Sequence, residues 1–196
     1  DETINHALYD SVRGNTKVLF SNQTEVEATV GDFASFNSDG FTVNYANRQE
    51  TNKNNINYVA WCWKAGGAAV SNTDGSITSS VSANAAYGFS IVSFTGNGSA
   101  NQTVGHGLSA KPSLVIYKDR DANSAWRVIP TFINDGHYLA LNTTAAKVGI
   151  STSYFGTNTN SVLGISGSNS GIINASGNNI IAYCFADVPG YQRIGS

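Results

Sequence analysis

The chain contains no methionine, two cysteines, three prolines and four glutamates, and no glutamate lies beyond Glu50. Charged residues make up only 12% of the 196 positions, about half the usual share. Each shortage excludes something. Lysine and arginine are scattered singly and the net charge is -2, so no phosphate-tracking surface for nucleic acid is expected. No apolar run reaches the length of a membrane span, so no membrane insertion is expected. Two cysteines are too few for a disulfide framework or a cysteine-rich zinc site. With Glu2, Glu25, Glu27 and Glu50 all in the first third, the paired carboxylates of a glycosidase have little material to draw on. A chain that opens Asp1-Glu2 without any methionine is expected to be a processed or partial piece of a longer product.

What the chain has instead is asparagine, serine and threonine, 62 residues together, with 20 glycines and 41% hydrophobic residues. Short polar side chains bond to nearby backbone and compete with helix, which favours turn-rich β structure. Strand signals follow at intervals of roughly ten residues: 41–45, 58–64, 88–94, 112–118, 126–129, 138–141, 162–165 and 179–185. They are β-branched and aromatic, and Gly, Asn or Pro bounds most of them. No window of twelve residues carries a helical period. Many short strands at this spacing imply an all-β sandwich or barrel.

The chain also says nearly the same thing twice. KVLFSNQT at 17–24 returns as HYLALNTT at 137–144, and NYVAWCWKAGG at 57–67 returns as NIIAYCFADVPG at 179–190. Asn57, Ala60 and Cys62 fall on Asn179, Ala182 and Cys184. Such repetition points to a protein that builds or binds something extended. The expected organisation is two related antiparallel β-sandwich units of jelly-roll or lectin-like type. Residues 1–67 form a first unit lacking its opening strands, 68–86 a Gly/Ser/Ala-rich linker or loop, and 87–196 a second, more complete unit. Residues 58–64 and 180–186 are expected as equivalent central strands of two separate sandwiches. Cys62 and Cys184 are then two unbridged, buried thiols, each the small core residue of its own strand; the alternative is one disulfide joining the halves. An incomplete first unit exposes a sheet edge that another polypeptide must cover.

The motifs GFSIVSFTGNGS (88–99), TVGHGLSAKPSLVIYKDR (103–120), YVAWCWKAGG (58–67) and AYCFADVPGYQRIGS (182–196) resemble a family of tandem, lectin-like β-sandwich repeats in virion proteins of tailed phages. The likeness covers most of residues 9–196. It implies a concanavalin-like or laminin-G-like sandwich in a tail fibre or another exposed virion component. It carries over no catalytic residues.

Several side chains are candidates for a site. Asp119-x-Asp121-x-Asn123 has the opening rhythm of a calcium loop, but Ser124 stands where a glycine is needed and no later glutamate closes the pattern. A solvated turn is the simpler reading, and no cofactor is expected. His106 sits between Gly105 and Gly107, which would expose its ring; a backbone-bonded histidine that shapes the loop is the plainer reading. Trp126, Tyr138, Tyr154, Phe155 and Tyr191 lie near turn-rich segments where a ring can stack on a sugar, although Trp126 and Tyr138 also suit a core. The candidate glycan contact is therefore His106, Asp119, Asp121, Trp126 and Tyr154. Five Asn-x-Ser/Thr sequons occur, about the number chance gives at this composition, and say nothing of glycosylation.

The expected function is that of a structural part of a phage virion surface, not an enzyme, partnered by other copies of itself, other virion proteins and a host-surface glycan. A bacterial secreted or cell-surface adhesin or filament subunit is the first rival, and a glycan-cleaving enzyme the second. The fold alone does not choose among them.

Overall fold

A computed structural model describes residues 4–44, 48–131, 137–149, 155–165 and 173–195. Strands run β1 (Ala7–Asp10), β2 (Gly14–Phe20), β3 (Ala28–Thr29), β4 (Phe33–Phe36) and β5 (Phe41–Val43) in the first third. They continue as β6 (Val70–Asn72), β7 (Ser79–Asn84), β8 (Phe89–Thr95), β9 (Gln102–Gly105) and β10 (Leu114–Asp119). The last are β11 (Arg127–Pro130), β12 (His137–Ala140), β13 (Val148–Gly149), β14 (Val162–Ile165) and β15 (Asn179–Phe185). A single 3₁₀ turn, Ala85–Tyr87, interrupts them, and the described residues contain no α-helix. Among the described residues the strands β1–β15 pair antiparallel, with one parallel bridge from Ile77 to Val104, and the fold is an all-β sandwich.

The centre is an eight-stranded sheet in the order β13-β12-β11-β10-β15-β8-β7-β6. β15 lies inside it, paired with β10 on one side and β8 on the other. Its side chains alternate. Ile180, Ala182 and Cys184 enter one core with Val92, Phe94, Val115 and Tyr117, and this face is roofed by β9 and β14 through Val104, Leu163 and Ile165. Ile181 and Tyr183 enter the other core with Phe89, Ile91 and Trp126, and there Leu19 of β2 and Leu8 of β1 supply the cover. A strand apolar on both faces needs a layer on each side. The N-terminal sheet, β1-β2-β3, is that second layer.

The repeat read from the sequence is present in the backbone. β1-β2-β3 has the same order and register as β11-β12-β13, displaced by 120 positions. Ala7↔Phe20 and Leu8↔Leu19 correspond to Arg127↔Ala140 and Val128↔Leu139. Lys17↔Thr29 and Val18↔Ala28 correspond to His137↔Gly149 and Tyr138↔Val148. Identical register over four residue pairs is a structural repeat, since register is fixed by pattern and turn geometry together.

Three expectations are corrected. First, β1–β3 do not close a sandwich apart from the rest; they stack on the large sheet. Second, residues 57–64 are not a central strand. They have no regular structure, and Val59 and Trp61 are 77% and 76% exposed. Third, residues 68–86 are not a linker. They contribute β6 and β7, and β7 lies between β8 and β6. The small residues that suggest a flexible link serve close packing here. Ser79 Oγ donates to the Gly105 carbonyl at 2.9 Å and Ser82 Oγ to the Gly67 carbonyl at 2.7 Å. A Cβ on Gly66 would stand 2.0 Å from the Ala83 carbonyl oxygen, so only glycine allows this approach. The cysteines are unbridged as expected, and Cys184 is buried, but Cys62 is exposed.

The two fates of one motif give a direct test. Replacing Ile181 by Ala should cost about 2–5 kcal/mol, the transfer and cavity loss of a buried aliphatic chain. Replacing Val59 by Ala should change stability by less than about 0.5 kcal/mol. Urea unfolding of both variants measures the contrast; equal losses would mean that residues 57–64 are buried after all.

Candidate functional site

The residues expected to contact a ligand do not meet on one surface. His106 is fully buried. Its Nδ1 accepts the Leu108 N–H at 3.2 Å, and its Nε2 lies 3.3 Å from the Thr159 carbonyl. A carbonyl only accepts, so Nε2 carries the proton and the ring is neutral; burial lowers its pKa in the same sense. The flanking glycines sink the imidazole instead of exposing it. A Cβ on Gly105 would overlap the Asn72 side chain. Trp126 is also fully buried. Its Nε1 donates to the Phe20 carbonyl at 2.9 Å, and its ring stacks on Tyr183 at 6.3 Å. It belongs to the core, as does Tyr138. Tyr154 lies outside the described residues.

The acidic loop is brought together, but its carboxylates serve the protein. Asp119 is buried; it accepts the Asp121 N–H at 2.9 Å and the Asn178 amide at 2.8 Å. Asp121 is exposed, and its Oδ2 accepts both the backbone N–H and the side-chain amide of Asn179, at 2.6 and 3.0 Å. Asn123 is exposed beside them. The cation here is Lys118. Its buried ammonium donates to the carbonyls of Thr24, Asp119 and Ala122 at 3.2, 2.7 and 2.9 Å, which uses all three of its protons. Burial pushes its pKa down to about 8, Arg127 adds to this, and Asp119 opposes it. No group of three or more His, Cys, Asp or Glu suited to a metal occurs among the described residues.

The main ionic cluster is the seam between the two repeats. The Arg13 side chain is fully buried and pairs with Asp10 and with Glu27 Oε2. It also donates to the carbonyls of Leu8 and Lys17 at 3.0 and 3.3 Å. Asp10 accepts the Tyr183 hydroxyl of β15 at 2.6 Å. Glu27 receives a two-pronged contact from Arg120, Nε and Nη2 both at 2.8 Å, and its N–H donates to the Arg120 carbonyl. Burial alone would raise the Glu27 carboxyl, but Arg120 and then Arg13 hold it below its usual value. An acid held ionised by two guanidinium groups is suited to fastening layers, not to giving up a proton.

A surface the sequence reading did not single out remains. Residues 56–63 carry exposed Ile56, Tyr58, Val59, Trp61 and Trp63, with the exposed Cys62 thiol among them. Among the described residues, no main-chain hydrogen bond joins 57–64 to another segment. The segment is tethered at both ends. The Tyr58 hydroxyl donates to the Gln49 carbonyl at 2.6 Å and accepts the Lys53 N–H at 3.0 Å. Trp63 leans on Phe185 and Phe89, ring centres 6.0 and 6.4 Å away, and Ala65 packs into the second core. A second exposed aromatic pair, Tyr87 and Tyr191, meets at 5.1 Å. The sequence places Tyr191 near a turn, while residues 58–64 carry the alternation of a strand and read as buried.

A family model described as "Domain of unknown function (DUF7483)" matches residues 1–196, and the chain belongs to that family. Nothing among curated proteins or solved structures matches it.

The seam makes a pH prediction. A carboxyl whose folded pKa lies below its unfolded value, about 4.3 for glutamate, stabilises the fold above that value. The contribution is lost as pH falls through the lower, folded value. Thermal unfolding followed from pH 6 downward should show a loss of stability below about 4.3, and Glu27→Gln should flatten that loss. At neutral pH, Glu27→Ala should cost about 3–5 kcal/mol, because it strands Arg13 without one of its partners. A variant as stable as the parent would show that the seam is dispensable.

Proposed function

We propose that the chain is a structural component of an exposed assembly, a virion surface or tail fibre, that works by binding other polypeptides and not by catalysis. The observation that carries the reading is the apolar segment 57–63 lying open at the surface, with Val59 and Trp61 77% and 76% exposed. Tryptophans are enriched where proteins meet and scarce on bare surface. The placement on a virion rests on the likeness of the 58–67, 88–99, 103–120 and 182–196 motifs to tandem repeats of phage virion proteins. The non-catalytic reading is supported by Glu27 and Asp119, whose carboxylates are committed to internal partners.

Cys62 provides the test. It is exposed, whereas burial pushes the Cys184 thiol up to about 12, so a maleimide photo-crosslinker will label Cys62 alone. Activated within assembled source particles, the label should join the chain to another polypeptide. Crosslinks confined to the chain itself would remove the assembly reading.

A second reading, binding of a host-surface glycan, is favoured by Tyr87 and Tyr191. Their rings are 40% and 61% exposed and inclined 39° to each other, offering flat apolar faces at low entropy cost. Single contacts of this kind are weak and gain from multivalency. A glycan array probed with a multivalent display of the chain should give hits that Tyr191→Ala weakens at least tenfold. No hits, or hits indifferent to Tyr191, would leave the structural role alone.

A further inference from the structure

His106 lies where β9 ends and the chain turns over the first core. β9 pairs with β14, and Val162↔Gly105 is the last pair of that ladder. Side-chain and main-chain bonds carry the join onward, between 106–111 and 159–161. The His106 N–H donates to the Ser161 carbonyl at 3.1 Å, the Lys111 N–H to Asn160 Oδ1 at 3.1 Å, and His106 Nε2 to the Thr159 carbonyl at 3.3 Å. Leu108, whose N–H meets His106 Nδ1, and Leu163 of β14 both lie in the core beneath. Among the described residues, β14 has β9 as its strand neighbour and one bridge besides, from Phe155 to Ile165. The roof strand is therefore held along β9 and, at its start, by the bonds around His106.

We infer that His106 is an acid-operated clasp: on taking up a proton the ring leaves its seat, loop 106–111 parts from 159–161, and β14 loosens over the first core. The imidazole is satisfied only when neutral, because Nδ1 must accept while Nε2 donates. A second proton, on Nδ1, would face the Leu108 N–H, donor against donor, on a ring that is fully buried. A buried donor left without an acceptor costs its full desolvation. The surroundings offer the charge little relief. β7, β9 and residues 155–165 hold no charged side chain. Lys111, on the loop itself, carries the wrong sign. Burial lowers the pKa of the ring, opposed in part by the Thr159 carbonyl and by the Asp74 carboxylate of the β6–β7 connection. A histidine lowered in this way stabilises the fold in full above its unfolded value, about 6.5. That contribution is lost as pH falls from there toward the folded value. The loss begins where the Glu27 seam is still ionised, since Glu27 lies below its own ordinary value. The clasp works alike whether the chain binds polypeptide or glycan.

The test is NMR of the full chain, titrated from about pH 7.5 to about pH 4.5. His106 should begin as the neutral ring with its proton on Nε2 and take up the second proton below about 6.5. Over the same step, amide protection at 106–108 and 161–165 should fall at least tenfold, while β8 and β15 keep theirs. His106→Asn retains an acceptor for the Leu108 N–H and has no proton to gain, so it should abolish the step. Should that variant not fold, the titration of the parent chain decides alone. A ring that gains its proton with no change in amide protection, amides at 106–108 and 161–165 that stay protected throughout, or a step that persists in His106→Asn would each overturn the inference.

Discussion

The central constraint is that β15 is apolar on both faces. Ile180, Ala182 and Cys184 point one way, Ile181 and Tyr183 the other, and all five are buried. A sheet built around such a strand cannot leave either side to water. At about 25 cal/mol per Å² of apolar surface, an uncovered face would cost more than the few kcal/mol by which a domain of this size is stable. One face is closed from within the second copy, by β9 and β14. The other is closed by the first copy. The N-terminal sheet is therefore committed to covering its repeat partner, and residues 57–64 are left in the open.

Covering is not enough to fix a position, because apolar contact is non-directional. Direction comes from the ionic seam. Asp10, Arg13 and Glu27 stand on the N-terminal sheet or its connections, Tyr183 and Arg120 on or beside the large sheet. Asp10 to Tyr183 and Glu27 to Arg120 are two of the bonds that cross. Each demands a particular register between layers, and a slip would leave a buried charge without a partner. Lys118 adds a third tie, from β10 to the Thr24 carbonyl. These polar ties and the apolar contact between the sheets together hold the layers at a single setting.

Much of this was legible in the residues. Asn, Ser, Thr and Gly in abundance forced short strands, and the 120-residue displacement seen in 17–24 and 137–144 is the displacement seen in the strand registers. Cys184 alternates with Ala182 on one face, as its pattern implied. The site was less legible, for a physical reason. His106 and Trp126 look like loop residues because turns surround them, yet a turn can press a ring inward as readily as outward, and only the neighbouring strands decide which. Asp119 and Asp121 resemble cation ligands, but Asp119 lies beside the ammonium of Lys118 and Asp121 holds Asn179. The sequence of 57–64 states a preference for strand. It carries no information about whether strands are present to pair with it.

That last point is what sets the two copies apart. NYVAWCW and NIIAYCF have nearly the same pattern, and intrinsic propensity treats them alike. In β15 the backbone groups are satisfied by β8 and β10, so the aromatic and β-branched side chains become core. Among the described residues, 57–63 pairs with no strand, and the same side chains lie at the surface. Strand is thus a property of the pair, not of the segment. Cys62 and Cys184 register the difference, one thiol open and one sealed, from equivalent places in the repeat. A segment that keeps a buried strand's composition in an exposed setting has retained every feature needed to be buried again.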